Sequence, residues 1–182
     1  MENVGKPKAL LMVAHPDDCV IFGYPFYAIH KKFQWKICYL TYKSWDLRAQ
    51  EMQKFWSKRN VETEFLGFLD DYRFVQKGIT GFDNNKAKDK ILESIQGYDL
   101  IVTHNQDGEY GHLHHIFVHD VVKSTPIPQV YFAGTNNLNY QVTCQPDEYH
   151  LDEMPIHRSV VEDFHDRLIG RYYVPDQVRP LL

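Results

Sequence analysis

The chain has 182 residues, enough for one domain with a substantial core. Its hydrophobic fraction of 43% and charged fraction of 24% are those of an ordinary globular protein, while a net charge of −4 with no basic run argues against a nucleic-acid platform. Cys19, Cys38 and Cys144 lie far apart and form neither a disulfide framework nor a Cys-x-x-Cys knuckle, which points to a reducing, cytoplasmic compartment.

The first residues, MENVGKPKALLMVAHPDD, do not read as a signal peptide, because the apolar run is short and leads straight into charge. No segment approaches the roughly 20 apolar residues of a membrane span. KALLMVAH (8–15) reads as a buried strand. A helix follows over about 20–32, with Pro25 against it. QWKICYLTY (34–42) is a second strand. Residues 46–60 form a helix that Asp46 can cap, with Leu47, Met52, Phe55 and Trp56 as its apolar stripe. ETEFLGF (62–68) is a short strand and 69–82 a loop. Residues 83–97 form a helix stopped at Gly97, and DLIVTHN (99–105) is a buried strand. HLHHIFVHDVVKS (112–124) is a helix halted by Pro126 and Pro128, and QVYFAG (129–134) a further strand. QVTCQPDEYHL (141–151) reads as an edge strand and RSVVEDFHDRLIG (158–170) as a last helix.

Strands alternating with helices predict an α/β fold with a mostly parallel sheet. In such sheets ligands bind beyond the carboxyl ends of the strands. Two unusual clusters fall there: HPDD closes the first strand, and THNQDGEYGHLHH leaves the strand at 99–105. His15, Asp18, His112 and His115 can therefore meet, with His15/Asp18 and His112/His115 each three residues apart. Two imidazoles and a carboxylate, with one position open to water, describe a catalytic zinc site. Asp17 is the candidate base, and the remaining histidine can stabilise an oxyanion or protonate a leaving group. Each cluster alone has a plainer reading: the acids can cap a helix, and a His-x-x-His pair can be surface or core. His119 continues the helix face as a supporting or core residue. Cys19 beside Asp18 is either a soft ligand or a small buried hydrophobe. His30, His150, His157 and His165 lack metal-like context and read as structural or exposed. Tyr110, Tyr131 and Asn136 fall near strand ends and are candidate ligand contacts or core.

AHPDD (14–18) and GHLHH (111–115), with LRAQEM (47–52) between them, resemble the PIG-L/LmbE-like zinc-dependent de-N-acetylases, over residues 8 to 135 or so. The resemblance implies a Rossmann-like three-layer sandwich, one domain over 1–182, and a divalent metal, usually Zn2+. It implies removal of acetyl groups from an N-acetylglucosamine-type amino sugar or glycoconjugate, and it leaves room for a homo-oligomer. Carried over, His15, Asp18 and His115 hold the metal and Asp17 is the general base. His112 steadies the oxyanion or donates a proton. Arg48 is a substrate or structural contact near the site, with Glu51 one turn on. The chain departs from the family at Cys19, where Glu is usual, and at His114, where an acid usually orients the neighbouring histidine. These departures motivate an alternative: a catalytically weakened carbohydrate-binding or assembly protein on the same fold.

Overall fold

The structure is a computed structural model that describes residues 5–133, 138–143, 146–164 and 170–182, with 146 and 147 as backbone only. Among the described residues seven strands form one sheet: β1 (Lys8–Val13), β2 (Gln34–Thr41), β3 (Glu62–Phe68), β4 (Leu100–Thr103), β5 (Gln129–Phe132), β6 (Tyr140–Gln141) and β7 (Arg171–Tyr173). The helices are α1 (Tyr24–Ile29), α2 (Leu47–Ser57), α3 (Tyr72–Val75), α4 (Asn84–Ser94), α5 (Gly108–Gly111), α6 (Leu113–Lys123) and α7 (Arg158–Phe164). The strand order is β3-β2-β1-β4-β5-β7-β6. The first five run parallel; β7 pairs antiparallel with both β5 and β6.

From β1 the chain winds one way to β2 and β3, and from β4 the other way to β5. The winding reverses between β1 and β4, and the crevice at such a reversal is where doubly wound sheets bind ligands. Register fixes the two strand ends beside each other, with Met12 opposite Thr103. Side-chain alternation along β1 builds a core on each face. Ala9, Leu11 and Val13 pack into an aromatic-rich layer with Phe22, Phe26, Phe55 and Trp56. Leu10, Met12 and Ala14 pack into an aliphatic layer with Ile91, Ile101, Val118 and Val122. Among the described residues no helix is long and apolar enough to cross a membrane.

The parallel strands and the helices 47–57, 84–94 and 113–123 fall inside the predicted ranges. Over 20–32 the chain instead makes a wide π-type turn, Cys19–Gly23, and then a short helix with Pro25 in its first turn, where its missing N–H costs nothing. The predicted loop at 69–82 carries α3. The predicted edge strand at 141–151 is a correction: among its described residues Gln141 alone lies in a strand, and Pro146–Tyr149 and Leu151–Glu153 form tight 3-10 turns. β7 had no signal, because three residues carry no periodicity. Gly170 admits β7 beside β6: at φ 76°, a Cβ there would lie 2.3 Å from the Val142 carbonyl oxygen. The predicted last helix runs over Arg158–Phe164, and His165, like Asn136 and Cys144, lies outside the described residues.

Candidate metal centre

Where β1 ends, the chain turns on itself. Asp18 Oδ2 accepts the His15 N–H at 2.7 Å, so both side chains leave the turn on one side. Where β4 ends, His104 and Asn105 lead into α5, whose Gly108 and Gly111 have φ of 61° and 90°. Between them Glu109 sits at φ 58°, ψ −58°, a state that costs a side-chain-bearing residue on the order of 1–3 kcal/mol. The result is a carboxylate folded back beneath the histidines. It accepts the Asn105 N–H at 2.9 Å, His104 Nδ1 at 2.8 Å and His115 Nδ1 at 2.5 Å. Burial alone would raise the Glu109 pKa, but His104 and His115 outweigh it and hold it down at about 2.

These contacts fix where the ring protons are. A carboxylate can only accept, so Nδ1 of His104 and of His115 each carry hydrogen. His115 Nε2 is then a lone pair. His104 Nε2 is one too, and it is already used by the Ala14 N–H at 3.0 Å. His114 Nε2 donates to the Thr80 carbonyl at 2.8 Å, leaving its Nδ1 to accept from His15 Nε2 at 3.1 Å. His15 Nδ1 is therefore a lone pair. It lies 3.2 Å from His115 Nε2 and 3.2 Å from Asp18 Oδ2, while Asp18 Oδ1 lies 3.3 Å from His115 Nε2. Three acceptors thus converge with no donor between them. A tetrahedral cation with bonds of roughly 2.0–2.1 Å sets its ligand atoms about 3.4 Å apart, which these spacings match. Other triplets in the cluster could also be drawn around an ion, Asp18–His104–His115 and His15–Asp70–His114, besides His15–His112–His115, in which His112 Nδ1 already accepts the His114 N–H. In the first, His104 Nε2 already has its donor; in the second, His15 Nε2–H bonds His114.

A proton can stand in for the cation. Burial disfavours charge on His115, but Asp18 and Glu109 reverse this and raise its pKa to about 10. Burial likewise disfavours charge on Asp18, and His115 and His15 hold its pKa well below the usual carboxylate range.

Two predicted groups flank the triad. His112 stands at the start of α6, where its Nδ1 accepts the His114 N–H at 3.2 Å, so the neutral ring carries its proton on Nε2. Its ring centre is 4.6 Å from those of both His15 and His115. Burial first, then His115 and His15, push its pKa down to about 3. Asp17 stands outside the donor set, with its Oδ1 2.5 Å from Arg48 Nη2. Arg48 Nη1 also donates to Tyr42 Oη at 2.7 Å, and Tyr42 Oη donates to Asp70 Oδ2 at 3.0 Å.

Both departures from the family pattern find places. Cys19 is buried away from the donors: its Sγ lies 3.0 Å from Tyr39 Oη and 3.1 Å from Trp56 Nε1, and burial pushes its pKa up to about 12. His114 orients not His112 but His15, through its side chain. His119 stands behind His104, its Nδ1–H on the His104 carbonyl at 3.0 Å. Tyr110 lies near the site, 5.4 Å from the His115 ring, whereas Tyr131 packs against His119 and Tyr173. Sequence reasoning missed Glu109, His104, Tyr42 and Asp70. His104, Tyr42 and Asp70 follow strand ends, so the rule that found His15 could have found them; Glu109 lies in the turn beyond, where nothing in the sequence marks its inward reach.

Comparison with known proteins bears on this geometry. A family profile described as PIG-L: GlcNAc-PI de-N-acetylase matches residues 10–125. The uncharacterized protein L374 of Acanthamoeba polyphaga mimivirus is 25% identical over 158 aligned residues, covering 74% of this chain; the chain spans 65% of that protein's length. A deacetylase of the teicoplanin biosynthesis pathway, solved in complex with teicoplanin, superposes with a TM-score of 0.61 at 14% identity over 91% of this chain and 96% of its own. A zinc-inhibited form of teicoplanin deacetylase Orf2 gives 0.51 at 14%, over 86% and 84%. GalB, the 4-carboxy-2-hydroxymuconate hydratase of Pseudomonas putida KT2440, gives 0.56 at 12%, over 87% and 83%. At these identities the superpositions establish the fold, and a hydratase sharing it with deacetylases means the reaction must be argued from the site.

Proposed function

The chain belongs to the PIG-L family of GlcNAc-PI de-N-acetylases, whose profile covers residues 10–125, and from that premise we propose a metal-dependent hydrolase that removes an N-acetyl or other N-acyl group from an amino sugar or its conjugate. We read residues 1–182 as one domain of this kind and its compartment as cytoplasmic. One observation carries the reading: three lone-pair donors converge at metal spacing, while a second carboxylate, Asp17, stands next to them uncommitted to the metal. Binding a cation requires only the first set; hydrolysis requires both.

His15, Asp18 and His115 would hold the cation, Zn2+ or a divalent ion with similar ligand taste. Such an ion polarises a bound carbonyl and acidifies a water. Asp17 takes a proton from the attacking water as it adds to the amide carbon. His112 is supported as a neutral donor, its Nε2–H available to the oxygen on which negative charge develops. Collapse breaks the C–N bond, the proton held by Asp17 passes to the leaving nitrogen, and acetate and the free amine result. Arg48 keeps the Asp17 carboxylate turned toward the site and has further N–H groups for a substrate hydroxyl. The reading as a weakened binding protein loses part of its motive, since Cys19 lies outside the donor set.

The test is acetate release from N-acetylglucosamine conjugates, measured on zinc-loaded protein and after chelation. Release that stops on chelation and returns with zinc, cobalt or iron supports the proposal. Unchanged release after complete metal removal rejects it.

A further inference from the structure

The part of the chain beyond residue 125 lies outside the family match, yet it brings one buried side chain up to the catalytic neighbourhood. His157, in the turn before α7, is 1% exposed. Glu51 on α2 accepts from that turn three times: the Ile156 N–H at 2.8 Å, the His157 N–H at 3.0 Å and His157 Nδ1 at 2.5 Å. Because the carboxylate can only accept, Nδ1 carries the proton and Nε2 of the neutral ring is a lone pair. Burial pushes the His157 pKa below its ordinary value, against the pull of Glu51, which keeps the ring neutral. The lone pair lies 3.4 Å from Arg48 Nε, which can only donate. Arg48 is thus held at all three nitrogens: Nε by His157, Nη1 by Tyr42 and Nη2 by Asp17.

We propose that His157 is a positioning residue for Asp17, acting through Arg48. Glu51 sets the tautomer of His157, Nε2 of His157 sets the rotation of the guanidinium plane, and the guanidinium sets the carboxylate. A planar fork anchored at one edge alone can rotate about its own stem. Anchored at Nε as well, it presents Nη2 to Asp17 in one orientation. The inference rests on reading Asp17 as the base of an amide hydrolase.

A plainer role for the same contacts is to pin the 146–164 segment onto α2. Two variants separate the roles. His157→Asn keeps a donor that reaches Glu51 but has no acceptor long enough for Arg48. His157→Gln sets an amide oxygen about where Nε2 lies and gives up the ring's bond to Glu51, leaving the two backbone bonds in place. On zinc-loaded protein, His157→Asn should lower kcat for acetate release about 10–100-fold, with KM within about threefold and zinc content unchanged. His157→Gln should keep most of kcat. Full kcat in His157→Asn overturns the proposal, and so does a His157→Gln variant as slow as His157→Asn. A second readout needs no activity: the Arg48 Nε–H signal in proton–nitrogen NMR. It should be slowly exchanging in wild type and His157→Gln and lost in His157→Asn. If the wild type hydrolyses no amide, the functional reading falls and this signal still decides the relay; a signal unchanged in His157→Asn overturns it.

Discussion

Asp17 and Asp18 are adjacent in the chain and stand in opposite electrostatic surroundings. Asp18 is buried among imidazoles whose facing nitrogens are lone pairs, so its cluster converges acceptors on a point that only a cation can satisfy. Asp17 faces a guanidinium, and its cluster pairs acceptors with donors: Asp17 Oδ1 and Tyr42 with Arg48, Glu51 with the turn at 156–157. The first cluster lies wholly within the family-matched residues; the second draws on chain beyond them. One peptide bond thus separates a carboxylate set among lone pairs from one held by a guanidinium. The environment, not the residue type, divides the work.

The largest effects should come from interchanging these duties. Asp18→Ala removes a donor and should lose both bound zinc and all measurable hydrolysis. Asp17→Asn should retain a full equivalent of zinc and lose about 10²–10⁴ in kcat. Metal analysis beside acetate release reads both. If Asp17→Asn came out metal-free, the two clusters would be one.

The supports of each cluster should fail in different ways. Glu109 meets both Nδ1–H groups with Oε2 and the Asn105 N–H with Oε1, so Glu109→Gln sets an amide NH2 against one side or the other and loosens the hold on His115. Zinc affinity should fall about 10–100-fold in a competition titration with a chelator. Arg48→Lys replaces a three-way fork with a point charge. It should cost roughly tenfold in kcat at saturating zinc while leaving zinc affinity unchanged. A Glu109→Gln variant with normal zinc affinity would mean that the turn at 108–111, and not the carboxylate, positions His115.

How far the sequence foretold this follows from the range of each signal. The parallel strands are runs of apolar residues between turn signals, and their ends locate HPDD and GHLHH without any coordinates. Which residues gather there was therefore readable. The proton arrangement was not, because it depends on partners such as Glu109 and Thr80 whose approach is set by backbone turns. Glu109 was hidden for a physical reason: its inward reach depends on positive φ at three of four residues, and DGEYG reads simply as a turn. His157 was hidden because Glu51 and Arg48 lie more than a hundred residues away and its own surroundings carry no metal-like spacing. The two-residue β6 and three-residue β7 fall below the length at which alternation is a signal.

The smallest effect separates the clusters by pH. In metal-free protein the fold raises the His115 pKa from about 6.5 to about 10, so folding favours its protonated form. That contribution is complete below pH 6.5 and is lost as pH rises through about 10. The melting temperature of metal-free protein should therefore fall by several degrees over that interval. Zinc should reverse the trend, because binding displaces the proton and grows stronger as pH rises. Lys31, whose partial desolvation lowers it to about 8, titrates in the same interval, so the useful quantity is a difference. His115→Gln, measured without metal, should show a flatter decline than wild type, whereas Asp17→Asn should decline in parallel with it. Parallel curves for wild type and His115→Gln would mean that the converging lone pairs share no proton, and the case for a cation between them would lose its electrostatic ground.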